Sequence, residues 1–381
     1  MLASQPEVSD VLFTVGRPPQ VEAYGELKSV VLEPPIENLT PYQTETIALN
    51  IIGDNLWQIE DLLRHGSCDA SYGLTGKARF RVNVFAQRGN YSIVCRQLKS
   101  TIPTLEMLKF PEIFKEIPKE KTGLVLITGP TGVGKSTTLA AILDEINRTK
   151  PVHIVTLEDP VEYVHTHNQS TINQRELGID FDSFLNGLRA VTRQAPKVIL
   201  IGEMRDRESV RIALSAAETG HLVLSTLHTI NAGETVNRIL GMFEPEEQEQ
   251  FRIRLADSLR WVVSQRLVPK VGGGRHALLE IMGSNLRTQE SIRLGESEGK
   301  TFYEIIEASH PFGWRTFDHA CLDAFEQGLI TEDTALLYCT KRSVISRGLD
   351  NIKKARGEII TSGSLRMKSL PSESPPILKL K

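Results

Sequence analysis

Apolar and polar positions change period along this chain. Residues 79 to 85, Arg79-Phe80-Arg81-Val82-Asn83-Val84-Phe85, alternate with period two. That puts Phe80, Val82 and Val84 on one face of a strand and Arg79, Arg81 and Asn83 on the other. A turn at Arg88-Gly89-Asn90 leads to a second strand from Tyr91 to Leu98. The pair is predicted as a hairpin whose polar faces present arginines, Arg96 included. Asp10 to Val15 reads as a further strand closed by a turn at Gly16-Arg17-Pro18-Pro19. Thr44 to Leu63 reads as helical, with Ile47, Ile51 and Ile52 at three- to four-residue intervals. Residues 1–98 are therefore expected to form a small α+β domain.

Residues 99–118 contain Pro103, Pro111 and Pro118 and read as a linker with a short helix. Apolar runs then recur between helical stretches at 123–128, 152–157, 197–201 and 221–226. This alternation predicts an α/β core over 119–270, with a mainly parallel sheet and helices on both faces. From about residue 232 the pattern turns mostly helical. Glu246 to Arg266 reads as one helix, with Phe251, Leu255, Leu259, Val262 and Val263 on one stripe. A helix is expected at Phe317 to Gln327, within a C-terminal helical region over 271–357. Residues 358–381, rich in Ser and Pro, read as a disordered tail.

Composition narrows the class. The chain has 381 residues, 40% hydrophobic and 24% charged. That is enough for about two or three soluble domains. The formal net charge of −3 supplies no global basic field for nucleic acid. Cys68, Cys95, Cys321 and Cys339 are far apart, with no C-x-x-C pair. They suggest neither a zinc ribbon nor a disulfide framework, and reduced thiols fit a cytoplasmic location. The first residues lack a basic segment followed by an apolar core, so no secretory signal is expected. No run of 18 apolar residues occurs, so a membrane role would come through partners.

The chemistry is concentrated at residues 129–137, Gly129-Pro130-Thr131-Gly132-Val133-Gly134-Lys135-Ser136-Thr137. This is a complete G-x-x-x-x-G-K-[ST] phosphate loop between a strand and a helix. Its glycines let the backbone wrap phosphates, and the helix N-terminus points N–H groups at the anion. Lys135 is expected on the β- and γ-phosphates of ATP and the Ser136 hydroxyl on Mg²⁺. The apolar run Lys197 to Ile201 ends in Gly202-Glu203, a Walker B variant whose carboxylate is expected to support Mg²⁺ through a water and to handle the attacking water. A second acidic cluster, Leu157-Glu158-Asp159-Pro160-Val161-Glu162-Tyr163, can orient water, although a solvated loop would read similarly. His221 and His228 bracket one strand and are not placed to ligate one metal together. His165-x-His167 supplies too few ligands for a metal site. Arg79, Arg81 and Arg96 form either a solvated sheet face or arginine contacts to a nucleotide.

In order along the chain, these motifs resemble the secretion ATPase superfamily, and most of all its PilT-like pilus-retraction ATPases. The resemblance spans about Ser9 to Lys354. It includes Ser9 to Gly16, Ile102 to Glu106, the phosphate loop and the Asp box around Glu158, Asp159 and Glu162. It continues through Asn173-Gln174-Arg175-Glu176, the Walker B segment, Ala216 to Thr229 (the His box) and Phe317-Asp318. It implies a PAS-like N-terminal domain joined to a RecA-like P-loop NTPase domain, with six protomers in a ring. It further implies ATP hydrolysis with Glu162 as general base and with Glu203 and Lys135 in the catalytic set. Arg79, Arg81 and Arg96 would approach the nucleotide, and His221 and His228 would link nucleotide state to subunit contacts. The implied partners are an inner-membrane pilus platform protein and a retraction paralogue, with no nucleic acid. Two segments depart from the family pattern, Arg193 to Lys197 and Leu286 to Leu294. The second keeps a PilU-like accessory retraction ATPase in view beside pilus-assembly and secretion ATPases.

Overall fold

A computed structural model describes residues 1–2, 4, 8–74, 77–98 and 101–357. The expected tail at 358–381 lies outside the described residues.

The N-terminal unit is a six-stranded antiparallel sheet. Its strands are β1 (Val8–Phe13), β2 (Gln20–Ala23) and β3 (Glu26–Ser29). Two helices follow, α1 (Pro41–Ile52) and α2 (Leu56–His65). The sheet is completed by β4 (Ser67–Leu74), β5 (Ala78–Gln87) and β6 (Asn90–Leu98), in the order β3-β2-β1-β6-β5-β4. The predicted hairpin is β5–β6, with Phe80, Val82 and Val84 buried. The helical stretch expected from Thr44 to Leu63 is two helices. Gly53, at φ 61, ends α1, and Asn55 restarts the chain by capping α2 through its side chain.

The linker is packed against the larger unit. Glu112–Lys119 form a 3₁₀ helix that buries Phe114 and Ile117. The larger unit then runs β7 (Gly123–Thr128), α3 (Lys135–Thr149), β8 (His153–Glu158), β9 (Thr171–Glu176) and α4 (Phe184–Val191). It continues with β10 (Val198–Ile201), α5 (Arg207–Glu218), β11 (Leu222–Leu227), α6 (Ala232–Leu240) and α7 (Pro245–Ser258). The sheet closes with β12 (Leu259–Pro269) and β13 (Arg275–Gly283). Its order is β13-β12-β7-β11-β10-β8-β9. All pairs are parallel except β12–β13. β7 and β11 are buried throughout, as a central parallel strand requires.

The single helix expected from Glu246 to Arg266 is corrected. Helix α7 stops at Ser258 and β12 begins at once. Phe251 and Leu255 serve the helix, whereas Leu259, Val262 and Val263 lie in a strand covered on both faces. A continuous apolar run satisfies both periods, and pairing with β7 decides for the strand. The region after 232 is mostly helical, as expected, but the β12–β13 hairpin interrupts it at 259–283. The short, polar β9 was not predicted; it is an edge strand.

The chain ends in α8 (Leu286–Leu294), α9 (Phe302–Ala308), α10 (Phe317–Glu326), α11 (Glu332–Tyr338) and α12 (Arg342–Ala355). The last three helices share a core with Val268 and Leu278 of the hairpin.

Candidate nucleotide site

The phosphate loop leaves β7 and enters α3, as its motif requires. Gly129 sits at φ 140, and a Cβ there would stand 2.5 Å from the Gln265 carbonyl oxygen of β12. Only glycine lets the loop pass that strand. Gly134, at φ 93, is the N-cap of α3 and makes no side-chain capping bond. The first-turn N–H groups are thus left for an anion. The loop floors a cleft of about 910 Å³.

Lys135 is buried. Its Nζ donates to Gly129 O at 2.8 Å and Pro130 O at 3.0 Å, and lies 3.3 Å from His228 Nδ1. Burial pushes the Lys135 pKa down, partly opposed by the charges of Glu203 and Glu162. His228 Nε2 stands 3.3 Å from Glu203 Oε1. A lysine only donates, so the network assigns Nδ1 as acceptor and Nε2–H as donor to Glu203. Arg205 Nε holds the other carboxylate oxygen at 2.9 Å. Glu203 lies two residues beyond the end of β10, so its position comes from the parallel sheet.

The Asp box leaves the end of β8. Glu158 is pushed up to about 7, chiefly by burial. Its Oε1 accepts from Thr156 Oγ1 at 2.6 Å and Gln174 Nε2 at 3.1 Å. Glu158, Asp159 and Glu162 all line the cleft. Thr137 Oγ1 and Tyr163 Oη, 2.8 Å apart, tie the helix to the Asp-box loop.

The structure thus gathers the phosphate loop, both acidic segments and His228. It separates the other candidates. His221 lies at the far end of β11, its Nδ1 2.9 Å from Ala216 O. Of the three arginines, Arg81 lines the cleft, Arg96 pairs with Asp10 at 2.9 Å, and Arg79 pairs with Glu176. His165 is buried, and His167 Nδ1 accepts from Ile172 N–H at 3.1 Å.

Sequence reasoning missed the supports. Gln265 of β12 donates to Thr138 Oγ1 at 3.0 Å, and Thr128 donates to Ser264 Oγ at 2.8 Å. Both were hidden by reading β12 as helix. Gln174 and Glu176 stood inside a quoted motif without an assigned role.

The donor set fits a nucleoside triphosphate: an uncapped helix start, a buried ammonium and a roomy cleft. It also fits Mg²⁺. Among the described residues, no cluster of three or more His, Cys, Asp or Glu could hold a metal. Mg²⁺ needs none, since it takes one or two side chains plus phosphate oxygens and waters. Ser136 and Glu203, both on the cleft, would hold it.

Comparison with known proteins agrees. The family described as "Type II/IV secretion system protein" matches residues 70–301. The "Type IV pilus retractation ATPase PilT" of Pseudomonas aeruginosa is 41% identical over 327 residues, covering 86% of this chain and 93% of that protein. The "Type IV pilus ATPase PilU" of the same organism is 39% identical over 331 residues, covering 87% and 85%. A crystal structure of the pilus retraction motor PilT with bound ADP superposes with a TM-score of 0.80 at 41% identity, covering 89% of this chain and 95% of that one. Motif, cleft and overall likeness agree: the chain belongs to the type II/IV secretion system protein family, among its PilT-like ATPases.

Proposed function

We propose that this protein is the ATP-hydrolysing motor that retracts type IV pili for twitching motility, working as a homo-hexamer. The observation that carries this reading is its 41% identity to PilT of Pseudomonas aeruginosa across nearly the full length of both chains. The N-terminal unit is read as PAS-like, on its antiparallel sheet with two covering helices. The larger unit is read as RecA-like. The domain divisions are read as 1–98, 99–118, 119–270 and 271–357, with β13 of the last segment contributed to the α/β sheet.

In this reading the phosphate loop, Gly129 to Thr137, binds ATP, with Lys135 on the terminal phosphates and Ser136 and Glu203 toward Mg²⁺. Bound there, the metal would neutralise phosphate charge. Glu162 orients and deprotonates the attacking water. Arg81 meets the nucleotide from the N-terminal unit. Arg79 and Arg96 would join it only by leaving Glu176 and Asp10. His228 relates nucleotide state to the carboxylate of Glu203, and His221 faces a subunit contact. A closed, desolvated arginine contact of a few kcal/mol is enough to shift a two-state equilibrium between the units.

Among the described residues no helix is long and apolar enough to cross a membrane. The protein is read as cytoplasmic, meeting an inner-membrane platform protein of the pilus. A second reading, an accessory motor beside a retraction paralogue, is favoured by the 39% identity to PilU.

Gene deletion with imaging of surface pili tests the proposal. Hyperpiliated, non-twitching cells support retraction. Bald cells overturn it in favour of assembly, and normal pili with lost secretion overturn it in favour of a secretion ATPase.

A further inference from the structure

The N-terminal unit meets the α/β unit at the end of β9. Glu176, the last residue of that strand, is 4% exposed. Its Oε2 accepts two hydrogen bonds at once. One comes from the Arg79 guanidinium of β5, and the other from the Val161 N–H at 3.2 Å. Val161 is the residue before Glu162. A single carboxylate oxygen therefore joins the N-terminal sheet to the Asp-box backbone.

The neighbourhood reinforces this junction. Asn55, the N-cap of α2, donates from Nδ2 to Gly178 O at 2.8 Å. Glu176 N–H donates to Asp180 Oδ2 at 2.8 Å, which shapes the loop that receives Asn55. Leu177 N–H donates to Glu158 O at 2.9 Å, tying the same turn to the end of β8. Arg79 also reaches Ser71 Oγ at 3.2 Å, whereas its Nε has no partner among the described residues.

We propose that Glu176 is a positioning residue that transmits docking of the N-terminal unit to the placement of Glu162. This rests on the reading of Glu162 as the general base. A buried carboxylate whose guanidinium partner leaves becomes an uncompensated charge. Its remaining bond, to Val161 N–H, then carries that charge, and the backbone beside Glu162 must adjust. A general base acts only within hydrogen-bond reach of the proton it takes. A displacement of about 1 Å costs on the order of 100-fold in rate. Arg79 and Glu176 thus make turnover depend on how the two units sit.

The test uses the full-length protein with ATP and Mg²⁺, measuring steady-state phosphate release and nucleotide binding separately. Glu176→Gln keeps an oxygen for Val161 N–H but removes the charge that holds Arg79. Arg79→Ala removes the donor. Each is expected to lower kcat about 10- to 100-fold with KM within about twofold. The double variant is expected to be no worse than either single one, since both cut the same chain. Arg79→Lys is expected to recover part of the loss. In a Glu162→Gln background, Glu176→Gln is expected to add nothing. A raised KM at unchanged kcat, or a double loss equal to the product of the single losses, would overturn the proposal. Parent-like Glu176→Gln beside an impaired Glu162→Gln would overturn it alone. Parent-like Glu162→Gln would instead remove the base assignment beneath it. Thermal melting of each variant separates these outcomes from unfolding.

Discussion

His228 bridges Lys135 and Glu203, its Nδ1 3.3 Å from Lys135 Nζ and its Nε2 3.3 Å from Glu203 Oε1. The imidazole therefore connects the lysine of the phosphate loop to the carboxylate at the tip of β10. His228→Ala breaks that connection without removing any backbone donor of the loop. Turnover is expected to fall about 10- to 100-fold, while ADP affinity stays within about threefold. Phosphate release and binding of a fluorescent ADP check the two halves, and parent-like turnover would make the bridge incidental.

Lys135→Ala and Glu162→Gln separate binding from chemistry. Loss of a buried ammonium that makes charge-assisted bonds is expected to weaken nucleotide binding about 100-fold or more. Glu162→Gln is expected to bind ATP normally and retain it, with kcat down about 10²- to 10⁴-fold. Calorimetric titration and single-turnover hydrolysis read these directly. A Glu162→Gln protein that empties as fast as the parent would move the base elsewhere in the cleft.

The arginines should differ in effect. Arg81 lines the cleft, whereas the Arg96 side chain is 71% exposed and bonded to Asp10. Arg81→Ala is expected to lower kcat/KM about tenfold or more. Arg96→Ala is expected to leave it within about threefold and to cost stability, because it strips the partner from a buried aspartate. Steady-state kinetics beside chemical denaturation would show both, and equal kinetic losses would place Arg96 at the nucleotide.

Stability should carry a pH signature from two buried glutamates. Glu158 and Glu280 are each raised to about 7, mainly by burial. Folding therefore favours their protonated forms. The stability this contributes is complete below the ordinary carboxylate range and is lost as pH rises through about 7. The nucleotide-free parent is expected to lose melting temperature between about pH 5 and pH 8 through these two groups. Glu158→Gln and Glu280→Gln should each flatten that fall. A slope unchanged in both variants would show that neither carboxyl carries the protonation.

Much of this organisation was legible in the sequence, for identifiable reasons. The phosphate loop is local chemistry: each glycine and Lys135 has its role within a few residues. The β5–β6 hairpin announced itself because one sheet face is wet, which forces strict alternation. Strand β12 did not, since a strand covered on both faces has no period to read. Its role as the wall behind Gly129 depends on pairing with β7, more than 130 residues earlier in the chain. Glu176 was invisible for a related reason, because its partners lie on β5 and in the Asp-box loop. The arginines show the same limit. Alternation put Arg79 and Arg81 on one face, but the packing of the two units decided that one meets a carboxylate and the other the cleft.

Lys135 already satisfies its full donor capacity, on two loop carbonyls and one imidazole. An arriving phosphate must therefore displace partners the ammonium already holds. Loose anions of modest charge gain little from that exchange, while a triphosphate brings several oxygens at once. The loop's own acceptors thus quench its ammonium, and the cradle discriminates against weak competitors by its own hydrogen bonds.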